Sequence, residues 1–189
     1  MEKINEILKN NGVISFVTDT VWGIGCLPTS SEAVEKIYEI KNRDYSKPLI
    51  LMSNSLENLL PYVKEISPTA QILAEKYFPG AITLVVNKSN KTADFLTSNK
   101  QTVGIRVPNN TVFSKLCEQI EGHVLATTSA NLSGMPAAKT YKEAQEFIGK
   151  RVDYVLPYES DMAKGLESTV VLAVDDNLKI LRQGAVKIN

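Results

Sequence analysis

The 189-residue sequence is poor in the residues that build metal and disulfide sites. It contains two cysteines, Cys26 and Cys117, and a single histidine, His123. Two cysteines are too few for a disulfide framework, and one histidine excludes a histidine-rich zinc site. A serine hydrolase would need His123 as its base, but the position of this residue just before a strand pattern favours a structural role. We therefore expect no metal site built by the protein and no enzyme nucleophile.

The sequence also lacks a net charge and a long hydrophobic run. Lysine and arginine total 21, as do aspartate and glutamate, which excludes a globally basic surface for nucleic acid. Any anion must therefore be held by a local cluster of cations. No apolar run approaches the roughly 18 residues of a membrane span, and the charged segment 1–6 is unlike a signal peptide. Together with the low cysteine content, these features predict a cytoplasmic protein without a membrane segment.

The remaining composition is that of an ordinary globular protein, and 189 residues fit one domain covering 1–189. Short apolar runs alternate with helical patterns, whereas the strand patterns at 152–156, 168–174 and 178–182 follow one another without helices. This order predicts an α/β fold with an open mixed sheet flanked by helices. We interpret the glycine-containing segment 17–25 and the polar stretch 87–101 as loops. Ligands of such sheets bind near strand ends, so polar residues there are the candidates for chemistry.

Three cations lie within seven residues between a predicted helix and a predicted buried strand. Lys41 and Arg43 are near the C-terminus of the helix, where a cation is favourable without any ligand. That explanation does not cover Lys47, which precedes the strand. Converging cations suit a polyphosphate, for which arginine supplies a fork of donors and lysine a point charge.

Small polar residues follow the predicted strand at 124–127. Ser129 and Asn131 belong to a run of hydroxyl and amide side chains that either binds a ligand or caps a helix. Two further arginines stand out: Arg106 lies inside an apolar strand pattern, and Arg182 ends one. A charge in such a position must reach solvent, pair with an acid or bind an anion. Arg151, in contrast, lies in a polar stretch and is interpreted as solvated surface.

Taken in order, these segments resemble the YrdC/TsaC family of threonylcarbamoyl-AMP synthases. The matching segments are Thr18–Gly23, Lys41–Arg43 with Lys47–Leu49, Phe78–Leu84, Val103–Pro108, Ser129–Gly134, Ser168–Val170 and Leu181–Gly184. The sequence departs from the family at Asp19, Trp22, Asp44 and Met52, where Glu, Tyr, Pro and His are common. The resemblance implies a twisted open α/β sheet with a concave basic cavity, in the short single-domain form.

The resemblance also implies the reaction, which is that of a nucleotidyltransferase. L-threonine, bicarbonate or carbon dioxide, and ATP would give L-threonylcarbamoyl-AMP and pyrophosphate, for threonylcarbamoyladenosine modification of tRNA. Carried over by motif, the residues expected to bind ATP are Lys41, Arg43, Lys47, Ser129, Asn131 and Arg182 with the adjoining Thr102, of which Lys41 and Arg43 are expected to be catalytic. Those expected to bind threonine are Thr20, Arg106 and Ser168 with the adjoining Thr127, and Arg106 would contact its carboxylate.

The remaining expectations concern the metal and the partners. We expect Mg²⁺ to arrive with the nucleotide, since the motifs contain few carboxylates. We expect transient contact with tRNA-modifying partner proteins and leave direct tRNA binding open. Two other functions also stay open. One is an RNA-binding module, against which zero net charge and few aromatic residues argue. The other is a carbamoyl-transfer domain like those of hydrogenase-maturation proteins, whose usual neighbouring domains this sequence does not contain.

Overall fold

One mixed sheet of nine strands organises the structure, a computed structural model that describes residues 2–158, 163–175 and 177–188. The strands are β1 (Ile14–Phe16), β2 (Gly23–Cys26), β3 (Ile50–Ser53), β4 (Ile82–Asn87), β5 (Thr102–Arg106), β6 (Val124–Ser129), β7 (Tyr154–Val155), β8 (Thr169–Val174) and β9 (Asn177–Arg182). Their order across the sheet is β7-β1-β2-β6-β3-β5-β4-β8-β9. Three neighbouring pairs are parallel, β1 with β7, β3 with β5 and β4 with β8, and the others are antiparallel. The predicted open mixed sheet is confirmed.

Seven α-helices accompany the sheet in the described ranges. They are α1 (Glu2–Lys9), α2 (Ser31–Lys41), α3 (Leu56–Leu59), α4 (Pro68–Tyr77), α5 (Asp94–Thr97), α6 (Thr111–Gln119) and α7 (Tyr141–Ile148). Local capping chemistry sets where several of them begin. Ser30 Oγ accepts a hydrogen bond from Ala33 N at the start of α2, and Thr140 and Glu143 form a reciprocal capping box at the start of α7.

Helices cover both faces of the sheet, as predicted. On one face, α2, α4 and α7 bury a large apolar core against side chains such as Leu84 and Ile105. On the other face, α1 and α6 form a smaller core with Ile14, Phe16 and Leu125. This smaller core covers only part of its face, because its sheet residues come from β1, β3 and β6. The rest of that face is available for a site.

The prediction that segment 17–25 is entirely a loop was wrong, because β2 begins at Gly23. Glycine is a poor strand former on its own, but β2 pairs with β1 on one side and β6 on the other. A Cβ on Gly23 would lie 2.9 Å from Phe16 Cε2, and one on Gly25 would lie 2.9 Å from Ala126 O. Glycine is therefore needed here for close packing. The polar stretch 87–101 likewise contains the short helix α5.

Candidate active site

The uncovered part of the sheet forms the floor of a cavity of about 490 Å³. Successive side chains of a strand point to opposite faces, so alternate residues of β4 and β5 belong to the core and to the cavity. Leu84 and Ile105 are buried in the large core, whereas Thr83, Gly104 and Arg106 line the cavity. The same alternation continues across the neighbouring strands. The residues that they contribute to the floor include Ile50, Met52, Val85, Thr102, Thr127, Ser129, Val170 and Leu172.

All eleven residues predicted to form the site line this one cavity. They are Thr20, Lys41, Arg43, Lys47, Thr102, Arg106, Thr127, Ser129, Asn131, Ser168 and Arg182. Their positions in the chain extend from the loop after β1 to the end of β9. Arg151, interpreted from the sequence as surface, is exposed and does not line the cavity. The structure thus brings the motif residues together, and the ligand assigned to each of them stays a prediction.

The charged side chains on the cavity wall are mostly cations. The six cations are Lys41, Arg43, Lys47, Lys100, Arg106 and Arg182, and the wall also carries one carboxylate, Glu167. Arg182 forms an ion pair with Glu167, and Arg106 forms one with Asp19. The other four cations take part in no ion pair within the described ranges. They are the charges that a polyanionic ligand would neutralise.

Lys41 is the last residue of α2 and is buried, although its side chain reaches the cavity wall. Its Nζ donates hydrogen bonds to Ser129 O at 2.5 Å, Asn131 O at 2.7 Å and Asn131 Oδ1 at 2.8 Å. The pKa of this ammonium is lowered from 10.5 to about 7, mainly by burial and also by the nearby Arg43 charge, while the Glu167 charge opposes the shift. Lys41 therefore joins the end of α2 to the loop after β6.

Arg43 and Lys47 lie on the connection between α2 and β3. Arg43 donates from Nε to Lys47 O and from Nη2 to Pro48 O, both at 3.1 Å. These two bonds hold the guanidinium along the connection, and burial lowers the pKa of Arg43. Asp44, where the family commonly has proline, accepts a hydrogen bond from Ser46 N at 2.8 Å and so closes a turn of its own. Lys47 itself is exposed at the cavity wall.

The loop after β6 is held by its own polar side chains. Ser129 Oγ donates to Asn131 Oδ1 at 2.6 Å, and Asn131 Nδ2 donates to Met135 O at 2.5 Å. The alternative interpretation of Asn131 as a helix cap is wrong, because the next helix, α7, has Thr140 as its N-cap. Ser129 and Asn131 therefore hydrogen-bond within the loop and to Lys41, and cap no helix in the described ranges.

Arg106, at the end of β5, is the centre of a second polar group. Its Nη1 donates to Thr20 Oγ1 at 2.9 Å, its Nε to Gly80 O at 3.1 Å and its Nη2 to Asp19 Oδ1 at 2.5 Å. Burial lowers the pKa of Arg106, the Asp19 charge raises it, and the Arg182 charge lowers it. The group is thus a buried, hydrogen-bonded ion pair at the cavity wall.

Hydroxyl groups lie on the same floor. Ser168 Oγ and Thr83 Oγ1 are 2.8 Å apart and share a hydrogen bond, while Thr127 Oγ1 donates to Ile50 O at 3.3 Å. Arg182 donates from Nη2 to Ser168 O at 2.9 Å and so ties the end of β9 to this group. Such hydroxyls suit a small polar substrate, since each is both a donor and an acceptor.

Sequence reasoning missed several residues of the wall. Lys100 ends the polar stretch before β5, and its only signal was its place next to the candidate Thr102. Thr83 lies in one of the family segments, but its role in the floor follows from the alternation along β4. Asp19 was noted as a carboxylate in the turn after the first strand and as a departure from the family, but its pairing with Arg106 depends on the fold.

The structure also bears on metals and membranes. Among the described residues, no group of three or more histidine, cysteine, aspartate or glutamate side chains is placed to hold a metal ion. Within the same ranges, no helix has both the length and the apolar character needed to cross a membrane.

Comparison with known proteins extends the resemblance. The model of the Sua5/YciO/YrdC family, described as "Telomere recombination", matches residues 6–184. A threonylcarbamoyl-AMP synthase of Vibrio campbellii is 32% identical over 185 residues, which are 97% of this chain and 98% of that protein. The crystal structure of P. abyssi Sua5 complexed with L-threonine is 30% identical with a TM-score of 0.89, and covers 96% of this chain. This chain spans about half, 53%, of that protein. E. coli YciO is 25% identical with a TM-score of 0.87, covering 98% of this chain and 89% of YciO.

Proposed function

Because this chain belongs to the Sua5/YciO/YrdC family, we propose that it is a threonylcarbamoyl-AMP synthase. The family predicted from the sequence motifs is confirmed, and relatives aligned over nearly the whole chain carry the name of this enzyme. The observation that carries the proposal is that all eleven predicted site residues line one cavity. The substrates would be L-threonine, bicarbonate or carbon dioxide, and ATP, and the product would serve threonylcarbamoyladenosine modification of tRNA.

The chemistry suits a site without an enzyme nucleophile. The amine of threonine, as a free base, adds to carbon dioxide and loses a proton to give a carbamate; from bicarbonate, water is also released. A carbamate oxygen then attacks the α-phosphorus of ATP. The bond from that phosphorus to the bridging oxygen breaks, and pyrophosphate leaves. The protein needs only to align two anionic reactants and stabilise charge on the phosphorus and the leaving group.

The cations of the wall supply that stabilisation in this proposal. Lys41, Arg43 and Lys47 would contact the phosphates, and none of them takes part in an ion pair within the described ranges. Lys41 would exchange at least one of its three hydrogen bonds to Ser129 and Asn131 for a phosphate oxygen. Arg182 and Thr102 would complete the nucleotide site. Ser129 and Asn131 would shape it, and their hydrogen bonds to each other and to Lys41 support this role.

Threonine would occupy the hydroxyl-rich part of the floor. Of the five N–H donors of a guanidinium, Arg106 uses three on Asp19, Thr20 and Gly80, and the remaining two suit a carboxylate. Ser168 would bind the polar groups of the amino acid, with Thr127 beside it. Their positions on the wall of one cavity support a single amino-acid subsite.

We propose that Mg²⁺ comes with the nucleotide, and the donor set fits this. Glu167 is the carboxylate on the described cavity wall, so phosphate oxygens would provide most of the ligands that this ion prefers. When bound, the ion would neutralise phosphate charge.

We further propose that residues 1–189 act as one domain in the cytoplasm and pass the product to tRNA-modifying partner proteins. The continuous nine-stranded sheet supports the single domain.

The test is pyrophosphate release from ATP with and without L-threonine and bicarbonate. We expect release to require both, and to fall tenfold to a hundredfold in an Arg43→Ala variant, because one charge-assisted hydrogen bond is worth about 1.5–3 kcal/mol. Arg151→Ala removes the same charge from an exposed position and should behave as wild type. Full activity of Arg43→Ala would contradict the proposal.

Two further measurements distinguish the proposed enzyme from the RNA-binding module and the carbamoyl-transfer domain. Tight tRNA binding with a steep salt dependence and no turnover of ATP would indicate the RNA-binding module. Turnover of carbamoyl phosphate without threonine would indicate the carbamoyl-transfer domain. Neither is favoured by the relatives, which are named threonylcarbamoyl-AMP synthases.

A further inference from the structure

Asp19 does not line the cavity, yet it holds one of the cavity's cations. It lies in the loop after β1, and its side chain is 11% exposed, against 3% for Arg106. Its Oδ1 accepts a hydrogen bond from Arg106 Nη2. No step of the proposed reaction uses this carboxylate, so its burial beside Arg106 needs another explanation.

Resting on the proposed function, we propose that Asp19 is a positioning residue that determines specificity. It orients the Arg106 guanidinium and cancels its charge. The amino-acid subsite therefore accepts the carboxylate of a neutral zwitterion and rejects polyphosphate.

The orientation follows from the hydrogen bonds around Arg106. Thr20 Oγ1, Gly80 O and Asp19 Oδ1 each bind a different nitrogen of the guanidinium. Three contacts to three nitrogens fix both the plane of the guanidinium and its rotation about the side chain. The acceptors on Thr20 and Gly80 are neutral oxygens, and the acceptor on Asp19 is a carboxylate. All three contacts have a charged donor, but only the contact to Asp19 also has a charged acceptor, and it is therefore the strongest of the three.

A second cation, Arg182, also acts on Arg106. Besides burial, which is the main cause of the lowered pKa of Arg106, the charge of Arg182 lowers it, so the two arginines interact. Both line the same cavity. Two neighbouring arginines without counterions would form an attractive site for pyrophosphate or the phosphates of ATP. Asp19 pairs with one arginine and Glu167 with the other, so this attraction is reduced while both ion pairs are intact.

The ion pairs that Glu167 and Asp19 form with their arginines differ in how easily a ligand can replace them. The ion pair of Arg182 and Glu167 is about half exposed, with side-chain exposures of 45% and 40%, and is easily exchanged for a ligand. The pair of Arg106 and Asp19 is buried, and separating it would leave an uncompensated buried charge. Arg182 is therefore available to a phosphate, as the proposed function requires, while Arg106 stays neutralised.

The test is an Asp19→Asn variant, which keeps an oxygen acceptor and removes the charge. We expect its KM for threonine to rise tenfold to a hundredfold, its kcat at saturating threonine to stay within about threefold of wild type, and its KM for ATP to be unchanged. We also expect pyrophosphate to become a competitive inhibitor against threonine, which it is not in the wild type. Glu146→Gln makes the same change of charge on the exposed face of α7 and should change none of these values.

Calorimetry without turnover separates this inference from the proposed function. Asp19→Asn should bind a second equivalent of inorganic pyrophosphate that threonine displaces, while the wild type binds one. That readout stands even if the wild type released no pyrophosphate, a result that would contradict the proposed function alone. A folded Asp19→Asn protein with wild-type threonine affinity and one pyrophosphate site would overturn the inference.

A more conservative variant covers the case in which Asp19→Asn does not fold. Asp19→Glu keeps the charge and lengthens the side chain by one methylene, which displaces the guanidinium. We expect the KM for threonine to rise threefold to tenfold, because the Arg106 guanidinium is no longer correctly oriented. We expect no second pyrophosphate site, because the carboxylate still neutralises the charge of Arg106. Wild-type threonine KM in this variant would show that Asp19 does not position Arg106.

Discussion

Replacing Lys41 by methionine tests whether the buried ammonium carries its charge at neutral pH. Methionine keeps an unbranched side chain and removes the amine, so the variant has no titrating group at this position. In the wild type, Nζ donates to three oxygens of Ser129 and Asn131, but its burial lowers the pKa from 10.5 to about 7. The folded protein therefore holds this proton less tightly than the unfolded chain does.

The sign of the effect on stability follows from proton binding. Above pH 10.5 the lysine is neutral in both states. As the pH falls towards 7, the unfolded chain takes up a proton that the folded protein does not, so the wild type loses stability. Below about pH 7 both states are protonated, and the loss is complete. At about 1.36 kcal/mol per pKa unit, it totals roughly 5 kcal/mol, of which about half falls between pH 9 and pH 6.

The measurement is urea unfolding of wild type and Lys41→Met at pH 6, 7, 8 and 9. The difference in unfolding free energy between the two proteins isolates Lys41, because all other titrating groups are shared. We expect this difference to favour the wild type increasingly as the pH rises. Lys142→Met removes an exposed lysine and should show no such trend. A constant difference from pH 6 to 9 would refute the reasoning and show that the three oxygen acceptors keep the ammonium charged.

Two further predictions concern the floor of the cavity and the cysteines. A Cβ on Gly104 would lie 2.7 Å from Ile50 Cγ2, so Gly104→Val should lose about 1–3 kcal/mol of stability and at least tenfold in nucleotide affinity. Thermal unfolding and calorimetry measure both, and wild-type affinity would contradict the role of this position in the cavity. Burial raises the pKa of the thiols of Cys26 and Cys117 to about 12. At pH 8 only about one thiol in ten thousand is a thiolate, so a disulfide reagent should label them only during unfolding, and rapid labelling of the native protein would contradict their burial.

Much of the site was predictable because its residues occur in local motifs. Lys41, Arg43 and Lys47 stand together between a helix and a strand, and Ser129 and Asn131 follow another strand directly. A short segment of chain reveals such patterns, since its residue types and spacing do not depend on the rest of the fold. Lys100 lies in no motif, and the motif that contains Thr83 did not show that its side chain faces the cavity, which follows from the pairing of β4 in the sheet.

The burial and the bonding partners of the site residues were less predictable from the sequence than which residues form the site. Lys41 occurs in a motif typical of phosphate binding, but its burial and its bonds to the loop after β6 depend on how α2 packs. Similarly, the position of Arg106 inside a strand pattern indicated that its charge must reach solvent, pair with an acid or bind an anion. The sequence did not indicate which of these occurs. The partner, Asp19, is 87 residues away in the chain.

The sequence by itself determined most of the order of helices and strands, the family and the set of polar residues near strand ends. These properties depend on local periodicity, capping and residue spacing. Only the tertiary structure decided which face of the sheet stays uncovered, that Gly23–Cys26 pairs as a strand, and which carboxylate neutralises which arginine. Those features arise from contacts between segments that are distant in the chain, and a local pattern carries no information about which distant segment packs against it.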